Sequence, residues 1–179
     1  MVRMSVKQLL RFANSLGLRV DLEGSGDATY APSKRNWEGT ITLTTSIRML
    51  VSQPETSVRY LGSQLAHELG HYLVAPKSRR RKKDYGIPPA SSAPIWTTEE
   101  TKARIVEHYL RKRFGDPRAF KDPIKRFARN RRSMGDLKVI KAWWDETGLA
   151  MVNEELRLFR KGTRAFPKRV RRSIKKVQR

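Results

Sequence analysis

A chain of 179 residues is long enough to bury one substantial core and short enough to form a single domain. With no cysteine it excludes a disulfide framework and a thiolate zinc site, and no apolar run approaches the ~18 residues of a membrane span. Its formal net charge of +22, from 39 Lys or Arg against 17 Asp or Glu, points to polyanionic partners.

Ser5 followed by an apolar pattern over residues 6–16 predicts an amphipathic first helix rather than a signal peptide. Together with the missing cysteines, this sets the expectation of a cytoplasmic protein. Gly17 stops the helix, a short strand follows at 18–22, and the polar residues 24–27 turn the chain. Residues 28–31 and 40–45 read as a strand pair around a polar turn at 33–36, with Ile41 and Leu43 alternating toward one buried face.

After Pro54, Thr56 or Ser57 can cap a helix in which Leu61, Leu65, Leu69 and Tyr72 recur at helical spacing as a core face. Tyr60, Gln64, His67, His71 and Val74 line up on another face, and Pro76 ends the helical region. The most informative residues of the chain lie here, in His67-Glu68-Leu69-Gly70-His71. Residues four apart share a helix face, so His67 and His71 can offer two imidazole nitrogens to one metal ion. Glu68, about 100° further around, can reach a water rather than the metal itself. Two ligands and a general base are the working half of a zinc hydrolase. The bland alternative is a surface helix with two incidental histidines, in a chain that has only three. Gly70 costs on the order of 1 kcal/mol of helix propensity against Ala, which a close approach by another backbone would explain.

A two-histidine catalytic site needs a third protein ligand, and no further histidine follows shortly downstream. Residues 77–83 and 86–94 form a basic, then proline-rich loop, either a flap beside a cleft or an ordinary connector. Thr97 and Glu100 then read as a capping box opening a second helix, whose apolar stripe is Ala103, Val106, Leu110 and Phe114. The same stretch carries Glu107 and the remaining histidine, His108. On a helical wheel Glu99 falls near the middle of the stripe and Glu100 about 60–90° away. The third ligand is one of these two, and the wheel favours Glu99. The alternative is that Glu100 only caps the helix and Glu99 only answers its dipole.

Beyond residue 116 the pattern is helical, at about 123–132, 135–144 and 149–160. Leu137, Ile140 and Trp144 recur at helical spacing, as do Val152, Leu156 and Phe159. From Arg160 to Arg179 there are ten Lys or Arg and no acidic residue, with Phe166, Val170, Ile174 and Val177 at helical spacing. Such a basic amphipathic segment can follow nucleic-acid phosphates, lie on an anionic membrane or dock an acidic partner. No recognition helix, zinc finger or RNA-binding motif accompanies it, so sequence-specific reading is not expected.

Glu38-Gly39-Thr40-Ile41-Thr42-Leu43, followed by Leu65-Ala66-His67-Glu68-Leu69-Gly70-His71, resembles the core of the ImmA/IrrE-like zinc metallopeptidases, which are gluzincin-type enzymes. Members of that family process repressors and stress regulators. The resemblance implies a strand bordering the cleft, a helix bearing the two histidines, and a glutamate supplied by a later helix. Locally, His71-Tyr72, Ala75, Arg79-Arg80 and Asp84-Tyr85-Gly86 are similar to the stretch downstream of the same motif in the elongation factor P hydroxylase family. That second resemblance implies Glu100, in Glu100-Thr101-Lys102, as the ligand. It also implies Fe2+ in place of Zn2+, since two histidines and a carboxylate suit oxygen chemistry as well.

The expected fold is therefore α+β: a zincin-like metallopeptidase core over residues 1–115, with a helical, basic C-terminal extension over 116–179. The expected function is zinc-dependent hydrolysis of peptide bonds in a protein substrate. Glu68 would be the general base, His67, His71 and Glu99 or Glu100 would hold the metal, and residues 160–179 would offer a site for nucleic acid or another polyanion. Tyr72, Arg79, Arg80 and Tyr85 are candidates to stabilise an oxyanion, with packing or a solvated basic loop as the plainer explanation. The rival readings are a non-haem iron protein hydroxylase and a nucleic-acid-binding protein with a structural or vestigial metal site.

Overall fold

The computed structural model describes residues 5–24, 27–33, 38–86, 94–122, 124–125 and 136–162. Within these residues the chain is mixed α and β, mostly helical, with a small three-stranded sheet. Helix α1 (Val6–Ser15) starts where the Ser5 side chain accepts from the Gln8 N–H at 3.3 Å, and it buries Leu9, Phe12 and Ala13 at i, i+3 and i+4 spacing. Gly17 adopts φ +82°, a left-handed conformation that releases the chain into β1 (Leu18–Glu23). Strands β2 (Thr29–Pro32) and β3 (Gly39–Thr44) complete the sheet in the order β1-β3-β2. β3 is central, parallel to β1 with Val20 opposite Ile41, and antiparallel to β2 with Tyr30 opposite Ile41. Ile41 and Leu43 point into the core as their alternation requires. The expected turns at 24–27 and 33–36 fall largely outside the described residues.

A short helix α2 (Ile47–Ser52) leads into the long helix α3 (Pro54–Val74). Two features depart from the sequence expectation: α2 is a separate helix, and neither Thr56 nor Ser57 caps α3. α3 instead begins at Pro54 with Gln53 in the cap position, because proline at the first helical residue has no N–H to satisfy. Ser57 is then a buried residue of the first turns. Leu65, Leu69 and Tyr72 are buried as the core face, with Leu61 partly buried against it.

Two short turns at Arg79–Arg81 and Lys83–Gly86 follow α3, and α4 (Pro94–Arg113) returns alongside it. Since α4 begins at Pro94, Thr97 lies within its first turn and not at its cap, so the expected capping box is not the start of this helix. Ala103, Val106, Leu110 and Phe114 are buried as predicted, but so are Thr101, Ile105, Glu107 and His108. α4 is buried nearly all round because the C-terminal helices cover its second side. These are α5 (Leu137–Trp143), capped by the Asp136 side chain on Lys138 N–H, and α6 (Leu149–Lys161), joined by a π-helical segment at Trp144–Gly148. Tyr109 of α4 meets Trp144 edge-to-face at 5.4 Å and its hydroxyl donates to Asn153 Oδ1 at 2.5 Å. Phe12, Phe114 and Phe159 form an aromatic cluster tying α1, the end of α4 and α6 together. Ile140, Trp144, Val152 and Leu156 thus share one core with the N-terminal elements. The basic segment beyond Gly162 and most of the expected helix at 123–132 lie outside the described residues.

A close backbone approach sets how α3 meets α4. A Cβ built on Gly70 would sit 2.3 Å from the backbone oxygen of Ala103, a distance no side chain tolerates. The same two helices touch through His71 and Glu100 at one end and His67 and Glu107 at the other, so they run antiparallel. On an exposed helix, Gly70→Ala would gain about 1 kcal/mol of propensity. Here the sign should reverse, with a loss of about 1–3 kcal/mol from overpacking, read as a lower urea midpoint at unchanged m-value.

Candidate metal centre

The two histidines lie on one face of α3, and the chain provides a carboxylate opposite them from the start of α4. His67 Nε2 is 3.2 Å from His71 Nε2, and Glu100 places Oε1 3.6 Å from the former and Oε2 3.0 Å from the latter. Zinc–nitrogen and zinc–oxygen bonds of about 2.0–2.1 Å in a tetrahedron imply donor separations of about 3.3 Å, so three donors at these spacings fit one small cation. His67, His71 and Glu100 form the group with metal-holding geometry among the described residues. Their side chains are 23%, 12% and 16% exposed, which leaves one side of the cluster open to solvent.

Glu99 lies elsewhere. Its carboxylate is taken by the Arg79 guanidinium, in the turn after α3, and it does not join the cluster. The wheel favoured Glu99 because it took the middle of the apolar stripe as the direction of the site. α3 in fact packs along one edge of that stripe, meeting Glu100, Ala103 and Glu107, while Glu99 turns to Arg79.

Electrostatics around the cluster are strongly uneven. Burial pushes the Glu100 carboxyl up, but hydrogen bonding to His71, the nearby His67 and His71 charges and Arg104 outweigh it and bring it to about 2. Arg104 Nε lies 2.6 Å from Glu100 Oε1. Glu68 is only 7% exposed, and burial drives its carboxyl up to about 7, against the lowering effect of His67 and with help from Asp84 and Glu100. A carboxyl that titrates near neutrality can both take and return a proton. His67 is raised from its ordinary value: burial opposes this, and Glu107, Glu100 and Glu68 overcome it.

The four oxyanion candidates are engaged elsewhere. Tyr72 is 2% exposed under the Arg80 guanidinium, whose carbon stands 4.3 Å from the ring centre. Arg80 donates from Nε to Ala75 O at 3.0 Å and from Nη2 to Leu73 O at 3.4 Å, satisfying carbonyls at the C-terminus of α3. Arg79 holds Glu99. Tyr85 is buried, donates to Glu68 O at 3.1 Å, and stacks on Tyr30 at 4.4 Å and on His71 at 5.8 Å. Asp84 and Tyr85 both adopt left-handed conformations, φ 45° and 58°, which cost non-glycine residues energy. The return for this strain is visible: Asp84 Oδ1 accepts from Tyr30 N–H at 2.9 Å, closing the open edge of β2. Residues 79–86 are thus a packed buttress behind His71, and residues 87–93 of the expected flap lie outside the described residues.

Two residues near the cluster were not singled out from sequence, Arg104 and Glu107. The signal was present, since they stand four and seven residues after Glu100, but only the choice of Glu100 as ligand would have exposed it. Comparisons with protein-family models, with curated proteins and with solved structures return no match to this chain.

His67→Ala and Glu100→Gln should each reduce bound zinc from about one ion per chain to a small fraction of that after dialysis, by removing one of three ligands. Glu99→Gln should retain it. Elemental analysis of the three purified variants distinguishes Glu100 from Glu99 directly.

Proposed function

We propose that this protein is a metal-dependent peptidase of the zincin-like type, acting on a protein substrate. The observation that carries the reading is Glu68. It is a buried carboxyl one residue after His67, on the helix whose histidines converge with Glu100. A structural metal site has no use for such a group, whereas hydrolysis does.

His67, His71 and Glu100 would hold the ion and leave the solvent side for substrate. When bound, zinc supplies Lewis acidity, polarising the scissile carbonyl and making an attacking water acidic enough to ionise near neutral pH. Glu68 would take a proton from the attacking water and return it to the departing amine nitrogen. The Tyr85 hydroxyl, donating to the Glu68 backbone carbonyl at 3.1 Å, steadies the helical turn that carries this base. Tyr85 also backs His71 through ring stacking, so one residue supports both the base and a ligand.

The Glu68→Gln variant should keep the metal and lose peptide hydrolysis by roughly 10²–10⁴-fold, the usual share of a general base. Zinc content and cleavage of an unfolded protein substrate would be measured together. Full activity in the variant would overturn the role of Glu68. Iron in the purified protein, with oxygen uptake and no hydrolysis, would replace the peptidase reading by a hydroxylase.

A further inference from the structure

Behind the metal cluster runs a second row of charges that hydrolysis does not itself require. Glu107 places Oε2 3.2 Å from His67 Nδ1, the ring nitrogen turned away from the cluster. Its other oxygen, Oε1, accepts from Arg111 Nη1 at 2.9 Å. Arg111 Nε in turn donates to Asp116 Oδ2 at 2.6 Å, and Asp116 Oδ1 accepts from the Arg118 N–H at 2.9 Å. The row is well inside the protein, with side-chain exposures of 8% for Glu107, 14% for Arg111 and 3% for Asp116.

Arg111 alone can answer one oxygen of Glu107. The second is directed at an imidazole, and a buried carboxylate oxygen without a donor is unfavourable. Seen from the histidine, Nδ1 is buried and has no well-aligned hydrogen bond, and the Glu107 oxygen is the acceptor beside it. A neutral imidazole carries its proton on one nitrogen only, so an acceptor at Nδ1 leaves Nε2 with its lone pair. In this protein Nε2 is the atom that faces His71 and Glu100.

We propose that Glu107 is a positioning residue for the metal centre, fixing the tautomer and orientation of His67 through Nδ1 while Arg111 and Asp116 hold Glu107 in place. The proposal rests on the metal site argued above. It adds that the site is built two layers deep on α4, with Glu100 at the Nε2 atoms of both histidines and Glu107, seven residues on, at Nδ1 of His67. His71 has its support from another quarter, the stacked ring of Tyr85, so the two histidines are oriented by different means.

The test is a zinc titration of the full chain against a competing chelator, for the wild type, Glu107→Gln and His67→Ala, together with NMR of the imidazole nitrogens in the zinc-free wild type above pH 8. Glutamine keeps the size of the side chain but has one acceptor oxygen for two donors, so it cannot serve Arg111 and His67 together. Glu107→Gln should weaken zinc binding roughly 10–100-fold, the range for loss of such an outer partner, while remaining folded. His67 in the wild type should carry its proton on Nδ1, a readout that a purely structural role for Glu107 would not produce and that needs no variant to fold. Zinc affinity equal to wild type in Glu107→Gln, or a proton on Nε2 of His67, would overturn the proposal while leaving the metal site standing. A wild type that binds zinc no better than His67→Ala would overturn both.

Discussion

The whole arrangement depends on two helix backbones touching at one point. Gly70 and Ala103 bring α3 and α4 within van der Waals contact, and no side chain fits between them. Every pair that matters for chemistry brackets this point: His71 with Glu100 on one side, His67 with Glu107 on the other. His71 and Glu100 then meet at 3.0 Å, and His67 and Glu107 at 3.2 Å. The glycine in the middle of the motif thus lets the two backbones meet between the two His–Glu pairs.

Charge balance is the second constraint. The protein is very basic overall, yet Glu68, Glu100 and Glu107 converge on His67. Each carboxylate is managed differently. Glu107 has Arg111, Glu100 has Arg104 and the histidines, and Glu68, buried beside His67, rises toward neutrality instead. A cation among the donors would lower the electrostatic cost of this concentration of negative charge, which is the physical sense in which the cluster suits a metal. The basic residues nearby serve largely as structural partners, with Arg79 on Glu99 and Arg80 on the end of α3.

The turn at residues 79–86 joins these two constraints to the sheet. Tyr30 N–H rests on Asp84 and the Tyr30 hydroxyl donates to Arg80 O at 2.7 Å, so β2 is sewn to the turn at two points. Tyr85 then passes that rigidity to His71 and to the backbone of Glu68. The left-handed backbone of Asp84 and Tyr85 is the cost of turning both side chains inward at once. The site is therefore braced from the sheet side as well as from α4.

Much of this could be read from the sequence, for a definable reason. Periodicity is local, so α1, the core face of α3, the apolar stripe of α4 and the alternation at Ile41 and Leu43 were all legible. The pairing of His67 with His71, and the place of Glu68 beside them, needed only the helical repeat. What the sequence could not decide was everything set by one element meeting another. Glu99 and Glu100 are neighbours, and only the face that α3 occupies separates the one held by Arg79 from the one held by the histidines. Glu107 looks like any helical glutamate until His67 is placed against it. The starts of α3 and α4 moved because proline opens both helices, and the second buried side of α4 exists because α5 and α6 fold back over it. The sequence by itself determined a helix that presents two imidazoles on one face with a carboxylate beside them. The tertiary structure alone decided which carboxylates of α4 meet those imidazoles, because helical spacing fixes a residue's face but not the neighbour that face will meet.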